Sequence, residues 1–192
     1  MAQEKRNAQA AKLITLDRKW SANVADLVRS REMLYGACVI FAHAGDGLLC
    51  LAGGLVVFLV GSASYRMSVL QIAAAVVLTA VFVVGTKFVV RRKRPRGVDI
   101  ARWSAMPVHD AYSFPSGHAA RAVCIAVGIS TLFPSLTLPS AIWAGGVCFA
   151  RVAVGAHYTL DVVAGMVMGA LAAVVAAKAW PTLVFWCQEL LF

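Results

Sequence analysis

Charge is scarce in this chain, and acid is scarcer still. Only 14% of the 192 residues are charged, and nine acids stand against eighteen bases. Ordinary soluble domains carry nearer a quarter charged residues, so a water-facing globule is excluded for the chain as a whole. The bases flank apolar runs instead of spreading along a soluble face. That excludes nucleic acid and directs the net charge of +9 to a membrane surface or an anionic headgroup. The five cysteines (Cys38, Cys50, Cys124, Cys148 and Cys187) are odd in number and scattered, with no CxxC pair. They build neither a disulfide framework nor a zinc site of that spacing, and read as small packing residues. No internal repeat or low-complexity segment is present. A basic-then-apolar signal peptide is also lacking, since the first long apolar run begins only after residue 32.

What the chain has is apolar length. Hydrophobic residues make up 60% of it, and mean hydropathy is +0.76. Runs near 20 residues with almost no charge are candidate spans, and they fall at about 48–62, 69–90, 116–133, 141–154 and 158–180. Residues 33–44 are apolar but too short to cross alone at about 1.5 Å per residue, so they form a re-entrant piece or the first part of a tilted helix. Asp46, between Gly45 and Gly47, interrupts that stretch. Pro181 is expected to end or kink the last span, leaving the apolar tail at an interface. Gly165 and Gly169 form a GxxxG pair, read as close packing inside one bundle.

Residues 1–32 differ. Leu13, Ile14, Leu16, Trp20, Val24 and Leu27 recur at helical spacing among seven bases and four acids. This suits an amphipathic helix that lies on a membrane face or packs as a solvated helix on its own protein. The expected fold is therefore all-α. It is a multi-span helical membrane bundle of about five to six helices (33–192) preceded by an amphipathic interfacial helix (1–32).

Span parity then gathers the polar residues. The 69–90 span ends at Lys87 and the Arg91–Arg92–Lys93–Arg94 run, and the next begins at Pro115-Ser116-Gly117-His118. The 141–154 span returns to that face with Arg151, and the last starts there with His157 and Asp161. Ionisable residues at span ends are costly and functional by default. His157 and Asp161, four apart, share a helix face, where a carboxylate can fix an imidazole tautomer. Ser116, Gly117 and the free N–H groups of the helix start make an anion cradle. Lys87, Arg94 and Arg151 supply positive charge suited to phosphate. Two histidines and a carboxylate inside a ring of cations fit phosphoryl transfer better than metal ligation. His43 reads as a packed or interfacial residue and His109 as loop decoration beside Asp110. Arg91, Arg92, Lys93 and Arg96 read as anchors on anionic headgroups.

These residues resemble the three-part signature of the type 2 phosphatidate phosphatase superfamily, the lipid phosphatase and vanadium haloperoxidase group. Lys87 through Arg94-Pro95 matches Lys-x6-Arg-Pro, Pro115 to His118 matches Pro-Ser-Gly-His, and Ala150-Arg151 with His157 and Asp161 matches Ser-Arg-x5-His-x3-Asp. The resemblance covers about 45–180 and departs at Ala150, where the family has serine. It implies His157 as nucleophile, Asp161 as its orienting carboxylate, and His118 as general acid. It further implies Lys87, Arg94, Ser116, Gly117 and Arg151 as phosphate ligands, with no metal or cofactor. The wording AYSFPSGHAARA, RRKRP and the Gly-Asp-Gly at 45–47 resemble the polyisoprenoid diphosphate phosphatases. The favoured substrate is therefore an isoprenoid mono- or diphosphate, with phosphatidate or phosphatidylglycerophosphate as runner-up. A vanadate-dependent haloperoxidase fits the dense spans less well, and a non-catalytic lipid-binding protein would not need both histidines and Asp161. The positive-inside rule, counted on the basic N-terminus and loop 91–102, favours a cytoplasmic site face. Many members of the family work on the opposite face.

Overall fold

The computed structural model describes residues 1–95 and 112–191. Arg96, His109 and Asp110 lie outside the described residues. Helix α1, Ala2–Arg29, begins with strong helix formers such as Ala, Gln, Glu and Lys. Its first half is exposed; its second half turns Asp17, Ser21, Ala25 and Val28 inward, all of them buried. Their spacing of four, four and three puts them on one face, and that face packs on α2, α6 and α7.

Helices α2, Glu32–Ala44, and α3, Gly47–Val60, meet at a 59° bend and together are apolar enough for one broken span or a re-entrant loop. Asp46 sits in the break as the extended residue before α3. Helix α4, Ala63–Val90, has 28 residues, about 42 Å at the standard rise. It starts six residues before the expected 69 because the polar Ser64 and Arg66 belong to its first turn, which hydropathy alone discounts. Helix α5, Gly117–Leu132, is shorter, followed by a 3₁₀ turn at Pro134–Leu136 and then α6, Thr137–Ala153. Helix α7 runs from Thr159 to Leu191, straight through Pro181. The expected stop at Pro181 is not taken. One proline costs a single helix bond, about 3 kcal/mol, whereas unwinding would leave several backbone groups unpaired in hydrocarbon.

Three of these helices are long and apolar enough to span, or four spans in all with the bent pair counted. The protein is thus an all-α, multi-pass membrane bundle. Helix α5 occupies its centre, packed on α4, α6 and α7, with Ala119, Ala120, Ala122, Cys124 and Ala126 buried. Small residues let backbones approach where lipid provides no hydrophobic drive. The crossing of α5 and α7 is the extreme case. A methyl group on Gly165 would collide with the Ser116 carbonyl, and one on Gly169 with the Ala120 carbonyl. The glycine pair is therefore used inside the bundle.

This packing makes a prediction. Gly169→Val should lower the melting temperature of the detergent-purified protein by at least about 2 °C, from overpacking of roughly 1–3 kcal/mol. Gly53→Val, where the added carbon meets nothing within 4 Å, should shift it little. Fluorescence-detected thermal unfolding of both variants checks the difference.

Candidate active site

Helix α4 delivers the first cations. Lys87, in its last turn, is buried and donates from Nζ to the Tyr112 carbonyl at 3.0 Å. The helix ends on Arg91, whose φ of 49° is left-handed. Such a conformation is strained for a residue with a side chain, and the Arg91 Nε bond to the Phe88 carbonyl (2.8 Å) helps hold it. The chain then runs extended. Lys93 bridges antiparallel to Tyr112, and Ser113 N donates to the Arg92 carbonyl at 2.8 Å. Alternate residues of extended chain face opposite ways, which splits the basic run. Arg91 and Lys93 are exposed, while Arg92 and Arg94 turn inward.

Arg92 is thereby corrected. It is expected as a headgroup anchor; instead Nη1 donates to Asp161 Oδ1 and Nη2 to Asp17 Oδ2, both at 2.7 Å. Its guanidinium also stacks 4.2 Å from the centre of the Tyr158 ring. Burying Asp161 (0% exposed) without a charged partner would be very costly, and Arg92 supplies that partner. Asp17 also accepts from the Leu160 backbone N–H at 3.0 Å, and Ser21 Oγ accepts from Thr159 N–H at 2.9 Å. Side chains of α1 thus satisfy first-turn donors of α7 that no intrahelical carbonyl reaches.

A tight turn joins α6 to α7. Gly155 takes φ 80°, and the His157 N–H returns to the Arg151 carbonyl at 3.0 Å. That places Arg151 and His157 side by side from two different spans. The buried His157 ring donates from Nδ1 to the Ser113 carbonyl at 2.8 Å. A carbonyl only accepts, so in the neutral ring the lone pair is on Nε2. Nε2 lies 3.4 Å from Arg94 Nη1, which also donates to the Ala156 carbonyl at 3.2 Å. The expected His157–Asp161 pairing is looser, with Nδ1 at 3.8 Å from Asp161 Oδ2. Asp161 Oδ2 instead accepts the Tyr158 N–H at 3.0 Å, so the tautomer is set chiefly by a backbone carbonyl. Burial pushes the His157 imidazole well below its ordinary value; the Asp161 contact opposes this, and the charges of Arg151 and Arg94 add to it.

The second histidine enters with α5. Ser116 is its N-cap, accepting the Ala119 N–H at 3.5 Å, and its own N–H reaches the Asp161 carbonyl at 2.9 Å. Pro115 stands one place before that cap and follows a cis peptide bond. His118 Nε2 donates to Asp46 Oδ1 at 2.7 Å, and His43 Nδ1 donates to Asp46 Oδ2 at 3.1 Å. His43 is thus a half-exposed hydrogen-bond partner of Asp46. Arg151 Nε is buried with no hydrogen-bond partner among the described residues. Ala150 is fully buried in an apolar cluster with Val28, Cys38, Ala42 and Ala153.

The structure accordingly brings His157, Asp161, Lys87, Arg94, Arg151, Ser116, Gly117 and His118 to one end of the bundle. It adds Arg92, Asp17, Ser113 and Asp46, to which the sequence reading gives no site role. The signal for Asp46 was available, since it is a lone acid inside an apolar stretch. Among the described residues no three His, Cys, Asp or Glu side chains converge as a metal site.

Known proteins extend this picture. Over 107 residues the chain is 35% identical to an undecaprenyl-diphosphatase of Sulfolobus acidocaldarius, covering 53% of this chain and 48% of the relative. Over 66 residues it is 42% identical to a lipid A 1-phosphatase of Rhizobium johnstonii, covering 32% of this chain and 26% of the relative. The chain therefore matches about half, or less, of the length of these relatives. Two solved structures share the fold. Aquifex aeolicus LpxE superposes with a TM-score of 0.67 at 21% identity, over 83% of this chain and 93% of that one. A transmembrane PAP2 type phosphatidylglycerolphosphate phosphatase from Bacillus subtilis gives 0.70 at 20% identity, over 87% and 85%. Residues 68–185 match the PAP2 superfamily, a stretch that holds Lys87, His118, His157 and Asp161. With more than half of its length in that match, the chain belongs to the PAP2 superfamily.

Proposed function

We propose that this chain is an integral-membrane lipid phosphatase that works through a phosphohistidine and needs no metal. The observation that carries the reading is the pairing of a buried Nε2 lone pair on His157 with a buried donor, Arg151 Nε, that has no partner among the described residues, on the neighbouring helix end. A buried donor without a partner is costly, and a phosphate oxygen would satisfy it. Lys87, Arg94, Arg151 and the first-turn N–H groups of α5, with Ser116 and Gly117, then hold the equatorial oxygens and the charge that develops on them.

Nε2 of His157 attacks phosphorus as the bond to the leaving oxygen breaks, and His118 gives that oxygen a proton. Water then attacks the phosphohistidine, losing its proton to His118, and the P–N bond breaks to restore His157. Asp161, held by Arg92, balances the positive charge that the ring acquires. The cations do the work a metal would otherwise do.

For substrate we favour an isoprenoid mono- or diphosphate. The curated relative named undecaprenyl-diphosphatase supports this, as does the wording of the second motif. Phosphatidate or phosphatidylglycerophosphate is the alternative headgroup. A cytoplasmic site face remains the preferred orientation, on the bases of α1, although Arg92 and Arg94 turn inward and no longer count as loop charge.

Three outcomes are expected. His157→Ala and His118→Ala should each cut phosphate release by at least about a hundredfold, with elution and melting unchanged; full activity in either would sink the assignment. Excess EDTA should leave the rate of the purified enzyme unaltered, and collapse on chelation would place a metal in the mechanism. Phosphate release from a panel of undecaprenyl diphosphate and monophosphate, phosphatidate, phosphatidylglycerophosphate and lipid A 1-phosphate should be highest on the undecaprenyl lipids. Release from none of the panel would favour a binding protein.

A further inference from the structure

The break in the first span lies outside the PAP2 match, which begins at residue 68. It is nevertheless fastened to the start of α5 at several points. His118 Nε2 donates to Asp46 Oδ1 at 2.7 Å. Arg121, one turn on, donates from Nε and Nη2 to the Gly45 carbonyl at 3.2 and 3.1 Å. The two glycines beside Asp46 sit close against side chains of α5 and α6. A methyl group on Gly45 would come within 2.6 Å of Val147, and one on Gly47 within 2.9 Å of Arg121. His43 holds the other oxygen of Asp46 at 3.1 Å. Interrupting an apolar span with an ionised group is costly. Here the interruption delivers a carboxylate 72 residues away in sequence to one histidine of the site.

We propose that Asp46 is the positioning carboxylate of the general acid, holding the His118 Nε2–H so that Nδ1 exchanges protons with the substrate. The proposal rests on the phosphatase reading above. An ionised carboxylate only accepts, so the Nε2 proton is committed to Asp46 and the departing proton is the one on Nδ1. That proton passes to the leaving oxygen as the P–O bond breaks, while Nε2–H stays on Asp46. In the second half-reaction Nδ1 takes a proton from the attacking water as the P–N bond to His157 breaks, which returns the ring to its starting state. Among the described residues, the other charged groups that act on the His118 ring are Arg121 on its own helix and Arg151 on α6. Both are cations and oppose a positive ring, leaving Asp46, with its partner His43, as the counter-ion.

A carboxylate that acts only through the general acid has a distinctive signature. It should matter most when the leaving oxygen needs a proton, and less when it does not, since only the water step then draws on the same histidine. The test compares an alkyl phosphate with a nitrophenyl phosphate carrying the same alkyl chain, using wild type, Asp46→Asn, His118→Ala and the double variant. Asp46→Asn is expected to lower kcat on the alkyl phosphate by about a hundredfold with KM changed less than about threefold, and to lower kcat on the nitrophenyl ester by less than about tenfold. In the His118→Ala background it should add almost nothing. Equal losses on both esters, a loss confined to KM, or additive effects in the double variant would overturn the proposal. Elution and melting report whether Asp46→Asn is folded. If it is not, Asp46→Glu takes its place: its longer carboxylate misplaces the ring, and the loss must again fall on the alkyl phosphate. A wild type that hydrolyses neither ester and none of the lipids overturns the phosphatase reading itself. An active wild type matched by Asp46→Asn overturns only the role of Asp46.

Discussion

A carboxylate with no exposed surface sits at the head of α7, and most of the site is arranged around it. Asp161 cannot be buried as an anion without cationic and N–H partners. Arg92 meets one oxygen and the Tyr158 N–H the other. To bring Arg92 there, α4 must end on a left-handed residue and the chain must continue extended against 112–113. That same pairing carries the Ser113 carbonyl to His157. Asp161 also anchors α5 through its own backbone carbonyl, which receives the Ser116 N–H. One buried charge thus ties together α4, the segment leading into α5, and α7.

The partner of that carboxylate needs a partner in turn. Arg92 is shared with Asp17, and Asp17 is shared with the Leu160 N–H. Helix α1 is therefore attached to the bundle through polar contacts on one face. Flanking that face, about a quarter-turn round the helix, it presents Leu13, Leu16, Trp20 and Leu27, all exposed. This suits a helix that rests on a bilayer with one stripe and on the protein with the other.

Much of this was legible in the chain itself, because it followed from periodicity and parity. Apolar runs marked five of the helices that build the bundle, and their alternation put Lys87, His118, Arg151 and His157 at one end. What could not be read depended on partners far apart in sequence or on backbone groups. Arg92 stands in a run of four bases and looks like its neighbours until the extended pairing of Lys93 with Tyr112 gives the run two sides. Ser113 acts through a carbonyl, which has no sequence signature. Asp17 looked like one acid among several on a polar helix. Of the end or kink expected at Pro181, the end is not taken, because local propensity was outweighed by the need to keep backbone groups paired.

The missing side chains at Gly165 and Gly169 have a consequence for how the site behaves as a machine. At that crossing α7 rests directly on carbonyl oxygens of α5. His157 immediately precedes one of these helices and His118 rides on the other. At these two positions main chain meets main chain, with no side chain between. The spacing between the two histidines is thus a property of the backbone, insulated from changes in the lipid or side-chain packing around the bundle. The outer helices can follow the membrane while this pair keeps its gauge.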